Sequence, residues 1–237
     1  MQFGQTLIEG TFLRRYKRFF ADIELPDGEV VTAHCPNTGS MLGCNLPGSR
    51  VWVSAHDDPR RKLRFTWQLV EVEHGALACI NTALPNRIVG EAIAAGRIPE
   101  LSGYGKLQSE VRYGEERSRI DWLLSEHAAG LPDAYVEVKN VTLAEAELGL
   151  FPDAVTTRGQ KHIRELMAMA AAGKRAVLFF CVSHTGIERV EPAVAIDPVY
   201  ARWVREAVDV GVEFLAWRAA ISPESITLER AIPFSIV

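Results

Sequence analysis

No stretch of this sequence approaches the roughly 20 consecutive apolar residues that a helix needs to cross a bilayer. The opening residues Met-Gln-Phe-Gly-Gln-Thr have neither the basic nor the apolar region of a secretory leader. No membrane partner is therefore expected, and the cytoplasm is the expected compartment. Cysteine is scarce: Cys35, Cys44, Cys79 and Cys181 show no Cys-x-x-Cys spacing, and His34, Cys35 and Cys44 suit no standard zinc knuckle. Reduced, mostly buried thiols are expected instead. An excess of positive charge is missing too. The net charge of −4 argues against a protein that coats nucleic acid by its average charge, so phosphate binding has to rest on local basic patches. There is no internal repeat, no low-complexity tract and no helix-turn-helix pattern, which leaves sequence-specific repression without a reading head.

What is present is enough chain, 237 residues, for one large domain or two modest ones, with the composition of an ordinary globular protein. Residues 1–85 read as five or six short strands at Thr6–Leu13, Phe19–Leu25, Glu29–His34, Arg50–Ala55, Leu63–Val72 and Ala76–Asn81, with Pro26-Asp27-Gly28-Glu29 as a hairpin turn. Many short strands with Gly/Pro turns make a small barrel or sandwich, and an OB-type barrel fits the number. Residues 86–237 alternate helices and strands. The expected order is a helix at Asn86–Ala95 with Asn86 as N-cap, strands at Leu107–Tyr113, Ser118–Leu124 and Tyr135–Val141, a helix near 157–172, a strand at Ala176–Ser183, a helix at Tyr200–Val210 and a last strand at Val212–Trp217. The chain thus reads as a two-domain α+β protein whose second part has the order of a nuclease-like α/β core.

Two strand-like segments carry charge where apolar residues dominate: Ser-Arg-Ile-Asp-Trp-Leu-Leu at 118–124 and Ala-Tyr-Val-Glu-Val-Lys-Asn-Val at 134–141. Side chains alternate across a strand, so Glu137 and Lys139 share a face, with Cα atoms roughly 6.6 Å apart. Burying Asp121, Glu137 and Lys139 costs folding free energy unless they pair or bind an ion. Two carboxylates from adjacent strands supply hard oxygen ligands for Mg²⁺ or Mn²⁺, and a lysine beside them positions an attacking water or stabilises a phosphorane-like transition state. A cross-strand ion pair at a sheet edge is the plain alternative.

Four longer strings extend that pattern: His34-Cys35-Pro36-Asn37-Thr38-Gly39-Ser40-Met41, Arg119-Ile120-Asp121, Tyr135 to Leu143, and Phe151 to Gly159. In this order they resemble the sugar fermentation stimulation protein A family of bacteria and archaea, over essentially the whole chain. The resemblance implies an N-terminal OB-type barrel joined to a restriction-endonuclease-like domain of the PD-(D/E)xK group, DNA binding, and a regulatory link to sugar metabolism. It implies Asp121, Glu137 and Lys139 as the nuclease-like set, although Ile120 rather than proline precedes Asp121. The expected function is that of a DNA-binding protein with an Mg-dependent phosphodiesterase site, the alternative being a non-catalytic DNA-binding regulator on the same fold.

Further candidates surround this core. Glu91 on the first helix and Glu110 on the neighbouring strand are candidate metal ligands; a solvated helical glutamate and a surface strand residue are their plain readings. The basic segments of the barrel, Arg14, Arg15, Lys17 and Arg18, then Arg60, Arg61, Lys62 and Arg64, are candidate phosphate contacts, although residues 1–85 hold nine Lys/Arg against nine Asp/Glu. Aromatic residues among them (Tyr16, Phe19, Phe65, Trp67) either stack on bases or fill the barrel. Asn37 and Thr38 lie in a loop that either holds phosphate or simply turns the chain. Arg158 and Lys161 open the long helix, whose N-terminus can bind phosphate, with His162 as a further contact. DNA without strong sequence specificity is the expected partner, and a homo-oligomer is admitted.

Overall fold

The structure, a computed structural model, describes residues 1–116 and 118–236. Strands β1 (Ile8–Tyr16), β2 (Phe20–Glu24), β3 (Val30–His34), β4 (Arg50–Ala55), β5 (Phe65–Glu71) and β6 (Leu77–Cys79) form one sheet in the order β3-β2-β1-β4-β5-β6. A further parallel pairing, Ala33↔Phe65 and His34↔Thr66, joins β3 to β5 and closes β1–β5 into a barrel. Closure needs β1 to bend. It does so through a bulge between Phe12 and Arg14, and through Gly10, where a Cβ would meet Glu24 O and Ile23 Cγ2 at 2.7 Å. Inside the barrel Phe12 stacks on the fully buried Trp67 at 4.7 Å, beside Ile23, Val53 and Ile80.

The rest of the chain comprises α1 (Leu84–Ala94), β7 (Tyr104–Tyr113), β8 (Ser118–His127), β9 (Ala134–Val141), β10 (Leu143–Glu145), β11 (Leu148–Phe151), α2 (Thr157–Ala171), β12 (Arg175–Val182), β13 (Arg189–Pro192), α3 (Pro198–Asp209), β14 (Glu213–Ile221) and β15 (Ile226–Ala231). The main sheet runs β15-β14-β12-β9-β8-β7. Its centre, β9-β12-β14, is parallel and its flanks antiparallel. β12 reads Arg-Ala-Val-Leu-Phe-Phe-Cys-Val and is buried throughout after Arg175, as expected of a strand covered on both faces. One face packs with α1, and with Leu7, Trp52 and Leu69 from the barrel exterior, in a single apolar cluster. α2 and α3 supply Ile163, Leu166, Tyr200 and Val204 to a second cluster on the other face. All four cysteines are free and buried.

Two sequence expectations need correction. The strand expected to be last is followed by β15, and a small sheet β10-β11-β13 lies beside the main one. α1 begins at Leu84 with Pro85 in its first turn, and Ala83 occupies the N-cap without a side-chain hydrogen bond. Proline with its preset φ starts this helix, which frees Asn86 for another role.

Barrel and second sheet are joined through their strands. Cys79 N–H donates to Ser183 O (2.9 Å), Thr185 N–H to Leu77 O (2.9 Å), and Ala78 bridges His184. A second tie links two of the strings read from sequence: Ser40 Oγ donates to Asp153 O (2.8 Å) and Oδ2 (3.0 Å), and Met41 N–H to Asp153 Oδ2 (3.2 Å). The segment after Asp153 launches α2, so the barrel loop at 37–41 braces the approach to that helix.

Candidate active site

The site opens where β8 and β9 part. Their register pairs Leu124↔Ala134, Leu123↔Tyr135 and Trp122↔Val136, and then stops. The next rung would set Asp121 opposite Glu137. Instead Asp121 Oδ2 accepts from Val138 N–H at 2.7 Å, a side chain taking the place of a ladder partner. Ile120 and Leu123 both join the α2-side cluster, so the alternation of β8 breaks at Asp121. Asp121 Oδ1 accepts from Asn86 Nδ2 at 2.6 Å. α1 can bring Asn86 there because it lies flat on Trp122: a Cβ on Gly90 would sit 2.1 Å from the indole, whose Nε1 donates to Asn86 O at 3.1 Å. Burial, and then the charge of Glu137, push the Asp121 carboxyl up to about 6.

Glu137 is 2 % exposed on the β9 face turned toward α2. Its Oε1 receives Lys139 Nζ at 2.7 Å and His162 Nδ1, while Oε2 has no partner. Burial alone would raise this carboxyl, but the Lys139 charge and the His162 hydrogen bond outweigh it and hold it below its ordinary value. His162 is held from three sides: Nδ1 meets Glu137 Oε1 and lies 3.1 Å from Lys139 Nζ, and Arg158 Nε lies 3.4 Å from Nε2.

Further buried groups ring these residues. Tyr113 and Tyr200 hydroxyls lack partners, and burial followed by the charge of Glu137 pushes both phenols far above their usual range. Glu165, 3 % exposed and three residues after His162 on α2, accepts from Glu116 N–H at 2.6 Å through Oε1 and leaves Oε2 unpartnered. It lies so close to Gly114 (φ 68°) that a Cβ there would fall 1.1 Å from Oε2. Sequence reading missed Asn86, taken as a cap, as well as Glu165 and Tyr113. The spacing 158-162-165 on one helix was the available signal for Glu165.

Asp121, Glu137 and Lys139 are thus brought together, and Arg158 joins through His162. Glu91 is not: its carboxylate pairs with the N-terminal amine at 2.9 Å and with Arg87 at 2.8 Å. Glu110 stands across from Asp121 between the pairs Ser109↔Trp122 and Val111↔Ile120, exposed, with φ 56°. Lys161 donates to Glu116 O at the rim. In the barrel, Arg14 is held by Asp22 (2.7 Å), Arg60 by Asp58 (2.9 Å) and Arg64 by Asp57 (3.6 Å). Arg15 donates to Asn37 O (2.7 Å) and Gly39 O (3.1 Å), and Arg61 to Thr66 Oγ1 (2.9 Å). Lys17, Arg18 and Lys62 remain exposed, as does Thr38. Asn37 is buried and its Oδ1 accepts from Gly39 N–H at 2.8 Å, forming the turn. Of the aromatics, Trp67 is core, whereas Phe19 is 47 % and Tyr16 36 % exposed.

Comparison with known proteins agrees with both halves of the fold. Residues 13–80 match the SfsA N-terminal OB domain, and residues 83–225 match the sugar fermentation stimulation protein RE domain. A sugar fermentation stimulation protein homolog from Geobacter metallireducens is 57 % identical over 234 residues, 98 % of this chain and 99 % of that protein. The solved structure of Pyrococcus furiosus SfsA in complex with Ca²⁺ superposes with a TM-score of 0.87 at 31 % identity, over 100 % of this chain and 98 % of the other. The architecture is an OB-like barrel followed by a restriction-endonuclease-like α/β domain. This chain belongs to the sugar fermentation stimulation protein family.

Proposed function

We propose that this protein binds DNA and hydrolyses phosphodiesters at a divalent-cation site formed by Asp121, Glu137 and Lys139. The observation that carries the reading is the unpartnered, buried Oε2 of Glu137, set across the parted strands from a carboxyl that burial and Glu137's own charge drive up to about 6. Two carboxylates that oppose each other's ionisation fit a cation between them. Among the described residues no three His, Cys, Asp or Glu side chains group closely enough to hold an ion by themselves. Mg²⁺ or Mn²⁺, which keep several waters, suit a site with two protein carboxylates. The Ca²⁺ bound by the Pyrococcus furiosus relative supports a divalent ion. When bound, such an ion acidifies water and neutralises charge on a phosphate.

The chain's own groups have separable tasks. Asn86 and the Val138 amide fix the Asp121 carboxylate. His162 and Lys139 hold Glu137 through one oxygen and leave the other free. The Lys139 ammonium, 11 % exposed, is the cation placed to orient an attacking water or stabilise the phosphoryl transition state. In this reading residues 1–85 contribute nucleic-acid contacts through Lys17, Arg18, Arg61 and Lys62, while Arg14, Arg60 and Arg64 contribute less because carboxylates already hold them. Residues 86–237 contribute the chemistry. The cytoplasm is the setting, with four reduced thiols, and a regulatory link to sugar metabolism is part of the proposal. One observation favours a non-catalytic DNA-binding regulator: Lys139 and His162 already compensate the same Glu137 oxygen.

Mn²⁺ titration calorimetry tests the site. Wild type should bind one ion, with binding lost in Asp121→Ala and retained in Glu91→Ala. Equal binding by wild type and Asp121→Ala would sink the assignment.

A further inference from the structure

Arg112 and Arg119 stand directly opposite each other on the β7–β8 ribbon. Directly paired residues share a face, and like charges so placed are destabilising. Both side chains are exposed, and neither has an ion-pair or hydrogen-bond partner among the described residues, unlike Arg14, Arg50, Arg60, Arg164, Arg175 and Arg218. Together with Tyr113 and Gly114 they line a cleft of about 620 Å³. Tyr113, which borders this cleft, packs in the α2-side cluster with Ile120, the residue before Asp121. Arg119 is two residues from Asp121 on the same strand. Two unpaired guanidinium groups in an open cleft beside a negatively charged site call for an anion from outside.

We propose that Arg112 and Arg119 form a clamp for backbone phosphates of a nucleic-acid strand, holding the strand against the Asp121–Glu137 site independently of the barrel. The clamp rests on the DNA-binding reading above and adds to it the residues that bring the strand to the second domain. Guanidinium forks fit phosphate oxygens in bidentate fashion, and a two-residue clamp fixes the register of the strand while reading no base. The cost of holding like charges together is recovered when the phosphate arrives. The proposal therefore makes a statement about stability as well as affinity.

The test uses the full chain, fluorescence anisotropy with labelled single-stranded and duplex DNA in Ca²⁺ over a salt series, and a melting scan. Arg112→Gln/Arg119→Gln should weaken DNA binding by about tenfold or more, and should flatten the log K against log salt slope by about one for each arginine. Its melting temperature should equal or exceed that of wild type. Arg112→Lys/Arg119→Lys keeps the charge and should keep the salt slope while losing affinity severalfold. Wild-type affinity and slope in both variants would overturn the clamp and leave the DNA-binding reading standing. A wild-type protein that binds neither DNA would overturn both.

Discussion

At Glu137, burial and charge act in opposite directions, and the balance decides what a substitution does. Lys139 and His162 both reach Oε1, and the carboxylate stays ionised although it is 2 % exposed. Removing one partner from a buried pair strands the other charge, at a cost of about 3–5 kcal/mol when nothing else compensates. Here His162 still donates, so Lys139→Ala should lose about 1–3 kcal/mol, closer to one charged hydrogen bond. Saturating Mn²⁺ should recover part of that loss, because a cation at Oε2 replaces the missing ammonium. Melting scans with and without Mn²⁺ read this directly. A Lys139→Ala protein that melts like wild type in the absence of metal would show that the lysine does not compensate Glu137.

Period-two alternation places Glu137 and Lys139 on one face from sequence alone, and the structure agrees. Asn86 was not legible in the same way. Its residue type signals a helix cap, but Pro85 starts α1 and turns Asn86 toward Asp121, a relation that depends on how α1 lies over Trp122.

At the scale of elements, the long strands and all three helices follow from local pattern, because each carries enough apolar residues at its own period. β10, β11, β13 and β15 do not. The first three are three or four residues long, and β11 finds β13 in parallel across a long sequence interval, a pairing no local window contains. The seam between the barrel strand β6 and the end of β12 was equally hidden. His184 sits in that seam, 6 % exposed, bridging Ala78 and accepting from Gly186 N–H at 3.1 Å. Burial pushes its ring down from the usual 6.5 to about 4. The unfolded chain takes up this proton first as pH falls. The stability provided by the neutral ring is therefore present above 6.5 and lost between 6.5 and about 4, at up to about 1.4 kcal/mol per pH unit. Asp121 shifts the opposite way, and stability lost through it appears as pH rises toward 6. Comparing wild type with His184→Asn, which keeps an acceptor for Gly186, isolates the histidine. The variant's melting temperature should fall less steeply than wild type's between pH 6.5 and 4.5, and parallel curves would contradict the assignment.

The whole molecule joins two sheets that bury one apolar cluster between them. The barrel loop at 37–41 braces Asp153, and the chain beyond Asp153 opens α2, which carries Arg158, His162 and Glu165. Sequence composition showed a neutral barrel polarised along the chain. It did not show that Asp22, Asp57 and Asp58 already occupy three of its seven arginines, because those pairs form through turns and cross-strand neighbours. Arg112 and Arg119, without partners among the described residues, sit on the same strand pair that carries Asp121. The most direct measurement is cleavage itself. Purified wild type with Mn²⁺ or Mg²⁺ should cut at least one member of a panel of single-stranded, duplex and branched DNAs, with activity abolished by chelator, by Asp121→Asn and by Lys139→Ala. Cleavage that persists undiminished in Asp121→Asn, or no cleavage of any substrate by a folded, Mn²⁺-binding wild type, would contradict a phosphodiesterase built on Asp121, Glu137 and Lys139.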